Sequence, residues 1–171
     1  PYLINNADFI ACHRQSYVHG FDLLRGIKKG GTFLLNTVWK PEELGEKLPA
    51  RLKRDIARND VQFYIIDAVG IAQKIGLGGR INMIMQSAFF KLSEVIPVDL
   101  AIDKLKESVV KSYGKKGQKV VDMNNAAIDE GLKNIVKIDV PAEWADAQDE
   151  PVDLSKHTKF FREFSIPVNA L

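Results

Sequence analysis

Cysteine is nearly missing from this chain: 171 residues contain one, Cys12. A lone thiol excludes an internal disulfide framework and leaves no four-cysteine set for an iron-sulfur cluster within these residues. Histidine is scarce as well, at 3 residues. His19 and His157 have no partner at a metal-ligand spacing, so no metal site is expected. Charge of one sign is lacking too, because 24 Lys and Arg face 22 Asp and Glu for a formal +2. That balance gives no general reason to expect nucleic acid or an anionic membrane as partner, and any anion site must be local. No apolar run approaches the roughly 20 residues of a spanning helix, and the N-terminus lacks the charged, apolar and small-residue succession of a signal peptide. A cytoplasmic, reducing location is the expectation. The acidic group Asp146, Asp149, Glu150 and Asp153 lacks the glycine and terminal glutamate of a calcium loop and reads as solvated.

What is present is an alternation of strand and helix patterns, at a length that usually makes one domain. Ala7–Cys12 (ADFIAC) and residues 32–38 (TFLLNTV) are apolar runs behind turn-prone Asn5-Asn6 and Gly30-Gly31, and both read as buried strands. Between them Tyr17, Phe21, Leu24 and Ile27 recur at helical spacing, with Lys28, Lys29 and Gly30 where a helix should stop. Pro41-Glu42-Glu43 marks a helix start, and Pro49 separates it from a basic helix over residues 51–58. Residues 61–66 (VQFYII) suit an interior strand covered on both faces. Strands separated by helical stretches imply parallel crossovers, so the expected fold class is α/β, a three-layer α/β/α sandwich with a mainly parallel sheet.

The C-terminal half is helix-rich. Residues 68–75 lead into Gly76-Leu77-Gly78-Gly79, and residues 81–95 then carry Ile84, Met85, Ala88, Phe89 and Leu92 on one broad apolar face. Pro97 opens a helix with the stripe Ile102, Leu105, Val109 and Tyr113, ended by Gly114. A last helix groups Val121, Ile128, Leu132 and Ile135. Residues 1–144 are expected to form the domain. Residues 145–171 lose periodicity and read as an extended exit segment or interdomain linker whose Phe160, Phe161 and Phe164 would dock on a neighbouring surface.

Few residues carry chemistry. The glycine turn before Arg80 is not a dinucleotide fingerprint, since its glycines separate two helices instead of joining a first strand to its helix. Structurally it permits positive φ and close helix approach. Functionally it frees N–H groups at the start of the next helix, where Arg80 and Asn82 could meet a phosphate or an amide. Asn124, in DMNNAA, offers a donor and an acceptor but also suits a helix cap. Cys12 and His13 adjoin at a strand end, where neighbouring side chains point to opposite faces, so a buried structural thiol outweighs a nucleophile. No catalytic residue is expected.

Four stretches, PYLINNADFIACHRQSY, GGTFLLNTVW, DVQFYIIDAVGIAQKIGLGGRINMIMQSAFFKLSEVIP and KSYGKKGQKVVDMNNAAID, resemble the gamma-type domain of pyruvate:ferredoxin (flavodoxin) oxidoreductase. The resemblance runs over residues 1–147. It implies an enzyme that decarboxylates pyruvate on thiamine diphosphate with Mg, passes electrons through iron-sulfur clusters to ferredoxin or flavodoxin, and transfers the acetyl group to coenzyme A. By the same resemblance Asn82 and Asn124 align with coenzyme A contacts; Arg80 joins them from the turn itself as an accessory, and the loop lysines Lys115, Lys116 and Lys119, a solvated type of position, at most steer phosphate. Thiamine diphosphate, Mg and the clusters would lie on other domains of the parent enzyme, which would be the module's partners in a homo-oligomer. The family's domain begins with a glycine-rich stretch absent here, so the chain would be a fragment, inactive alone. The resemblance leaves two alternatives open: a structural interface module without ligand contacts, or the same domain of another 2-oxoacid oxidoreductase.

Overall fold

The computed structural model describes residues 6–149; the aromatic residues Phe160, Phe161 and Phe164 and the acids Glu150 and Asp153 lie outside them. Its sheet has four strands in the order β1-β2-β3-β4. Strands β1 (Ala7–Cys12), β2 (Ile27–Asn36) and β3 (Gln62–Ile66) run parallel. A two-residue β4 (Val136–Lys137) adds antiparallel to β3. Period-2 alternation then assigns the layers. Phe33, Leu35, Phe63 and Ile65 face one side, where Phe33 and Phe63 sit opposite in register and stack at 5.4 Å. Against them pack the single-turn helix α1 (Tyr17–Gly20), α2 (Leu44–Lys47), α3 (Ala50–Arg58) and a 3-10 turn at Ala142–Asp146 that buries Trp144. Leu34 and Ile66 face the other side, covered by α4 (Ala68–Ile75), α5 (Asn82–Ser93) and α7 (Gln118–Lys133). Burying each Phe of the central pair stabilises by about 2–3 kcal/mol. The α/β/α sandwich and its helix-rich C-terminal half are therefore as expected.

The helices of that half pack closely on one another. Helix α6 (Val98–Tyr113) lays Leu105 and Val109 against Val121 and Ile128 of α7, along the expected stripe. At the α5–α7 crossing the absence of a side chain is required: a Cβ on Gly131 would sit against Ser87 Oγ and 2.6 Å from the Ile84 carbonyl. Helix α4 is started by Asp67, whose Oδ1 accepts from the Gly70 N–H at 2.8 Å, and is stopped by Gly76 at φ 90°.

Four expectations are corrected. The helical spacing of Tyr17, Phe21, Leu24 and Ile27 does not become one helix: α1 stops at Gly20, Gly26 turns at φ 79°, and Ile27 opens β2. Two glycines within seven residues outweigh the periodicity. Lys28, Lys29 and Gly30 are therefore strand residues, with Gly30 at φ 74° beside the register shift in the β1–β2 pairing. Strand β2 ends at Asn36, so Thr37 and Val38 belong to the following loop. Ile135 lies beyond α7, where it packs on the second core cluster just before β4. Separately from these corrections, residues 145–149 lie against α3: Arg58 donates to the Ala145 carbonyl at 2.8 Å, and Arg54 reaches the Ala147 carbonyl and the Asp149 carboxylate.

Candidate functional site

Two places among the described residues bear on the expected ligand sites. The first is the crevice beyond the carboxyl ends of β1 and β2, where open parallel sheets commonly bind. It encloses about 230 Å³ between His13, Gln15, Thr37, Val38 and Val69. Three of its polar side chains, Asn36, Gln15 and Thr37, are already engaged within the protein. Buried Asn36 donates from Nδ2 to the His13 carbonyl (2.9 Å) and accepts at Oδ1 from the Ala68 N–H (3.0 Å), tying β1 to the start of α4. Gln15 Oε1 accepts from the Thr37 hydroxyl at 2.8 Å and from the Val38 N–H at 3.1 Å, and Thr37 Oγ1 accepts from the Trp39 N–H. Cys12 at the end of β1 is buried and its thiol donates to the Arg14 carbonyl at 3.1 Å. Burial pushes that thiol above its ordinary range, the hydrogen bond partly opposing the shift. A protonated, enclosed sulfur is a poor nucleophile, as the structural reading of Cys12 requires. The sequence gives a sign of this network in the polar Asn-Thr pair ending FLLNT, which assigning residues 32–38 to one buried strand passes over.

The second place is the turn from α4 into α5. Gly76 (φ 90°) and Gly78 (φ 61°) take conformations that a side chain disfavours, and Leu77 between them is buried as an anchor. The chain then emerges with Arg80 and Asn82 exposed. Helix α5 has 12 residues and starts behind Ile81, which supplies no side-chain cap. Its first-turn N–H groups therefore lack the partner that Asp67 gives α4. Arg80 Nε donates to the Leu77 carbonyl at 3.2 Å, which fixes the guanidinium beside the turn.

Asn124 differs in kind. It is 5% exposed, within α7, and its Nδ2 donates to the Val120 carbonyl one turn back at 2.8 Å. Its position is internal to a helix, away from either cap. No hydrogen bond joins Asn82 to Asn124 among the described residues, though α7 does reach the turn: a Cβ on Gly76 would lie 3.4 Å from Met123 Cε. Next to Asn124, Asn125 Oδ1 is buried without a hydrogen-bond partner. Among the described residues no group of His, Cys, Asp and Glu could hold a metal ion, and no helix is long and apolar enough to cross a membrane.

Comparison with known proteins decides the family. The model of the family described as pyruvate ferredoxin/flavodoxin oxidoreductase matches residues 1–134. The chain belongs to that family. It is 57% identical to a pyruvate-flavodoxin oxidoreductase of Enterobacter agglomerans over 99% of its length, but spans 14% of that protein. It is 54% identical to a pyruvate:ferredoxin oxidoreductase of Moorella thermoacetica, again over 99% of its length and 15% of the relative's. Among solved structures, the pyruvate oxidoreductase subunit PORC of Thermotoga maritima shares the fold at TM-score 0.62 and 19% identity, covering 80% of this chain and 67% of that one.

Proposed function

We propose that this chain is one module of a pyruvate:ferredoxin or pyruvate:flavodoxin oxidoreductase, the enzyme that oxidatively decarboxylates pyruvate to acetyl-coenzyme A, and that its share of the work is to hold coenzyme A. The supporting observation is the start of α5: uncapped N–H groups, an exposed Arg80 pinned beside them and an exposed Asn82 suit an anionic phosphate or a pantetheine amide. Coenzyme A supplies the thiol that receives the acetyl group. Orienting that thiol is a proximity contribution, worth several kcal/mol of a barrier without any acid or base from this chain. Thiamine diphosphate, Mg and iron-sulfur chemistry are assigned to other domains of the parent, consistent with a chain whose only cysteine is buried.

The two relatives differ in electron acceptor by name yet are almost equally similar to this chain, at 57% and 54% identity. On this reading the acceptor is chosen by other domains. The same reading takes the parent as a cytoplasmic homo-oligomer.

Asn124 favours a second reading for α7. Its burial and its bond to Val120 suit a packing role, leaving at most its amide oxygen for a ligand. Steady-state kinetics of the parent enzyme separates the two. Asn82→Ala is expected to raise the KM for coenzyme A several-fold while pyruvate decarboxylation proceeds unchanged. Loss of assembly with an unaltered coenzyme A dependence would instead identify a structural spacer.

A further inference from the structure

No acid stands between Glu107 and Asp122 in the sequence, and in that interval Lys111, Lys115, Lys116 and Lys119 are all exposed. Both flanking carboxylates are engaged: Glu107 accepts from Lys104 at 2.9 Å, and Asp122 accepts from Gln118 Nε2 at 2.8 Å. Lys116 lies over the Tyr113 ring, 5.4 Å from its centroid, which folds it back onto the corner where α6 gives way to α7. The corner therefore concentrates positive charge on a chain that is otherwise nearly balanced. Its position matters as much as its charge. Lys119 and Met123 share a face of α7 one turn apart, about 6 Å along the axis. Met123 in turn reaches the glycine turn, where a Cβ on Gly76 would lie 3.4 Å from its Cε. Lys119 thus stands on the α7 face that meets that turn, with Lys115 and Lys116 beyond it and Arg80 at the far end of the turn.

Coenzyme A carries two separate anions, a pyrophosphate and a 3′-phosphate on the adjoining ribose. The N–H groups and the guanidinium at the start of α5 are directional donors, suited to a group held in one orientation. Lysines are mobile point charges without a fork, suited to a phosphate monoester, which carries about −1.5 to −2 of charge at pH 7. We infer, on the reading that the start of α5 holds coenzyme A, that Lys119 with Lys115 and Lys116 forms a second phosphate subsite. It takes the ribose 3′-phosphate and so selects coenzyme A over dephospho-coenzyme A, which lacks that group. The lysines bind and discriminate; the acetyl transfer itself does not involve them.

Steady-state kinetics of the complete oxidoreductase with coenzyme A and with dephospho-coenzyme A as acetyl acceptors tests this. The wild type is expected to show a KM roughly ten-fold lower for coenzyme A, the size of one charge-assisted contact. Replacing Lys115, Lys116 and Lys119 together by Ala should raise the KM for coenzyme A to that of the dephospho form, leave the dephospho value where it was and keep the melting temperature. Lys119→Arg should retain the preference. Equal KM values in the wild type, or a preference that survives loss of the three lysines, would overturn the inference. A rise in both KM values in the triple variant would overturn it in favour of the pyrophosphate. Asn82→Ala addresses the underlying reading: it should raise both KM values by the same factor, and unchanged values there would overturn the α5 assignment and this inference with it.

Discussion

The crevice beyond β1 and β2 and the turn before α5 sit on one scaffold and treat their polar groups in opposite ways. In the crevice Asn36, Gln15 and Thr37 satisfy one another and the neighbouring backbone. At the turn, Arg80 just before α5 and Asn82 at its first position stand exposed, and no side chain caps that start. Position in the fold alone would favour the crevice. Hydrogen-bond accounting favours the turn, because groups already paired inside the protein must lose those bonds before they can bind anything.

Stability and ligand binding should therefore respond to different residues. The largest effect on stability is expected at Asn36→Ala, which removes two hydrogen bonds and leaves the Ala68 N–H buried without a partner: about 2–3 kcal/mol by chemical denaturation, with coenzyme A affinity unchanged. A loss of coenzyme A affinity in that variant would transfer the site to the crevice. Gln15→Ala should cost less, about 1 kcal/mol, since Val38 is exposed and its N–H can turn to water, while the buried Thr37 hydroxyl keeps its bond from the Trp39 N–H. A similar cost, about 1 kcal/mol, is expected for Asn124→Ala if α7 only packs; a coenzyme A defect exceeding any stability change would move Asn124 to the ligand side. At the turn, Asn82→Ala should change stability by no more than about 0.5 kcal/mol.

Cys12 adds a pH test on the crevice side. Its raised value means that the folded state holds the thiol proton more tightly than the unfolded chain does. The corresponding stability is whole below the ordinary thiol range and is lost as pH rises through it toward the folded value. Thermal midpoints should therefore fall on the alkaline side, and Cys12→Ala should shallow that fall. An identical alkaline slope in wild type and variant would remove the thiol from the account.

Much of the layer order was legible, for a definite reason: β1, β3, α4 and the stripe of α6 are each long, apolar and bounded by turn residues. What misled was local. Ile27 has a helical spacing from Tyr17, but pairing with Ala7 in a parallel ladder places it in a strand, and no local pattern contains that partner. Strand β4 was invisible because two residues carry no periodicity. Arg80 and Asn82 were legible as candidates because glycines precede a long apolar helix. The Asn36 network was not, since its partners come from residues 13, 15 and 68, which only the fold brings together.

The central claim is that the start of α5 holds coenzyme A, and its most direct test is a calorimetric titration of coenzyme A into the complete oxidoreductase, wild type against Asn82→Ala and Arg80→Ala. Each variant is expected to bind several-fold more weakly, with an unchanged melting temperature. Wild-type affinity in both would contradict the account and leave these residues as a turn between two helices.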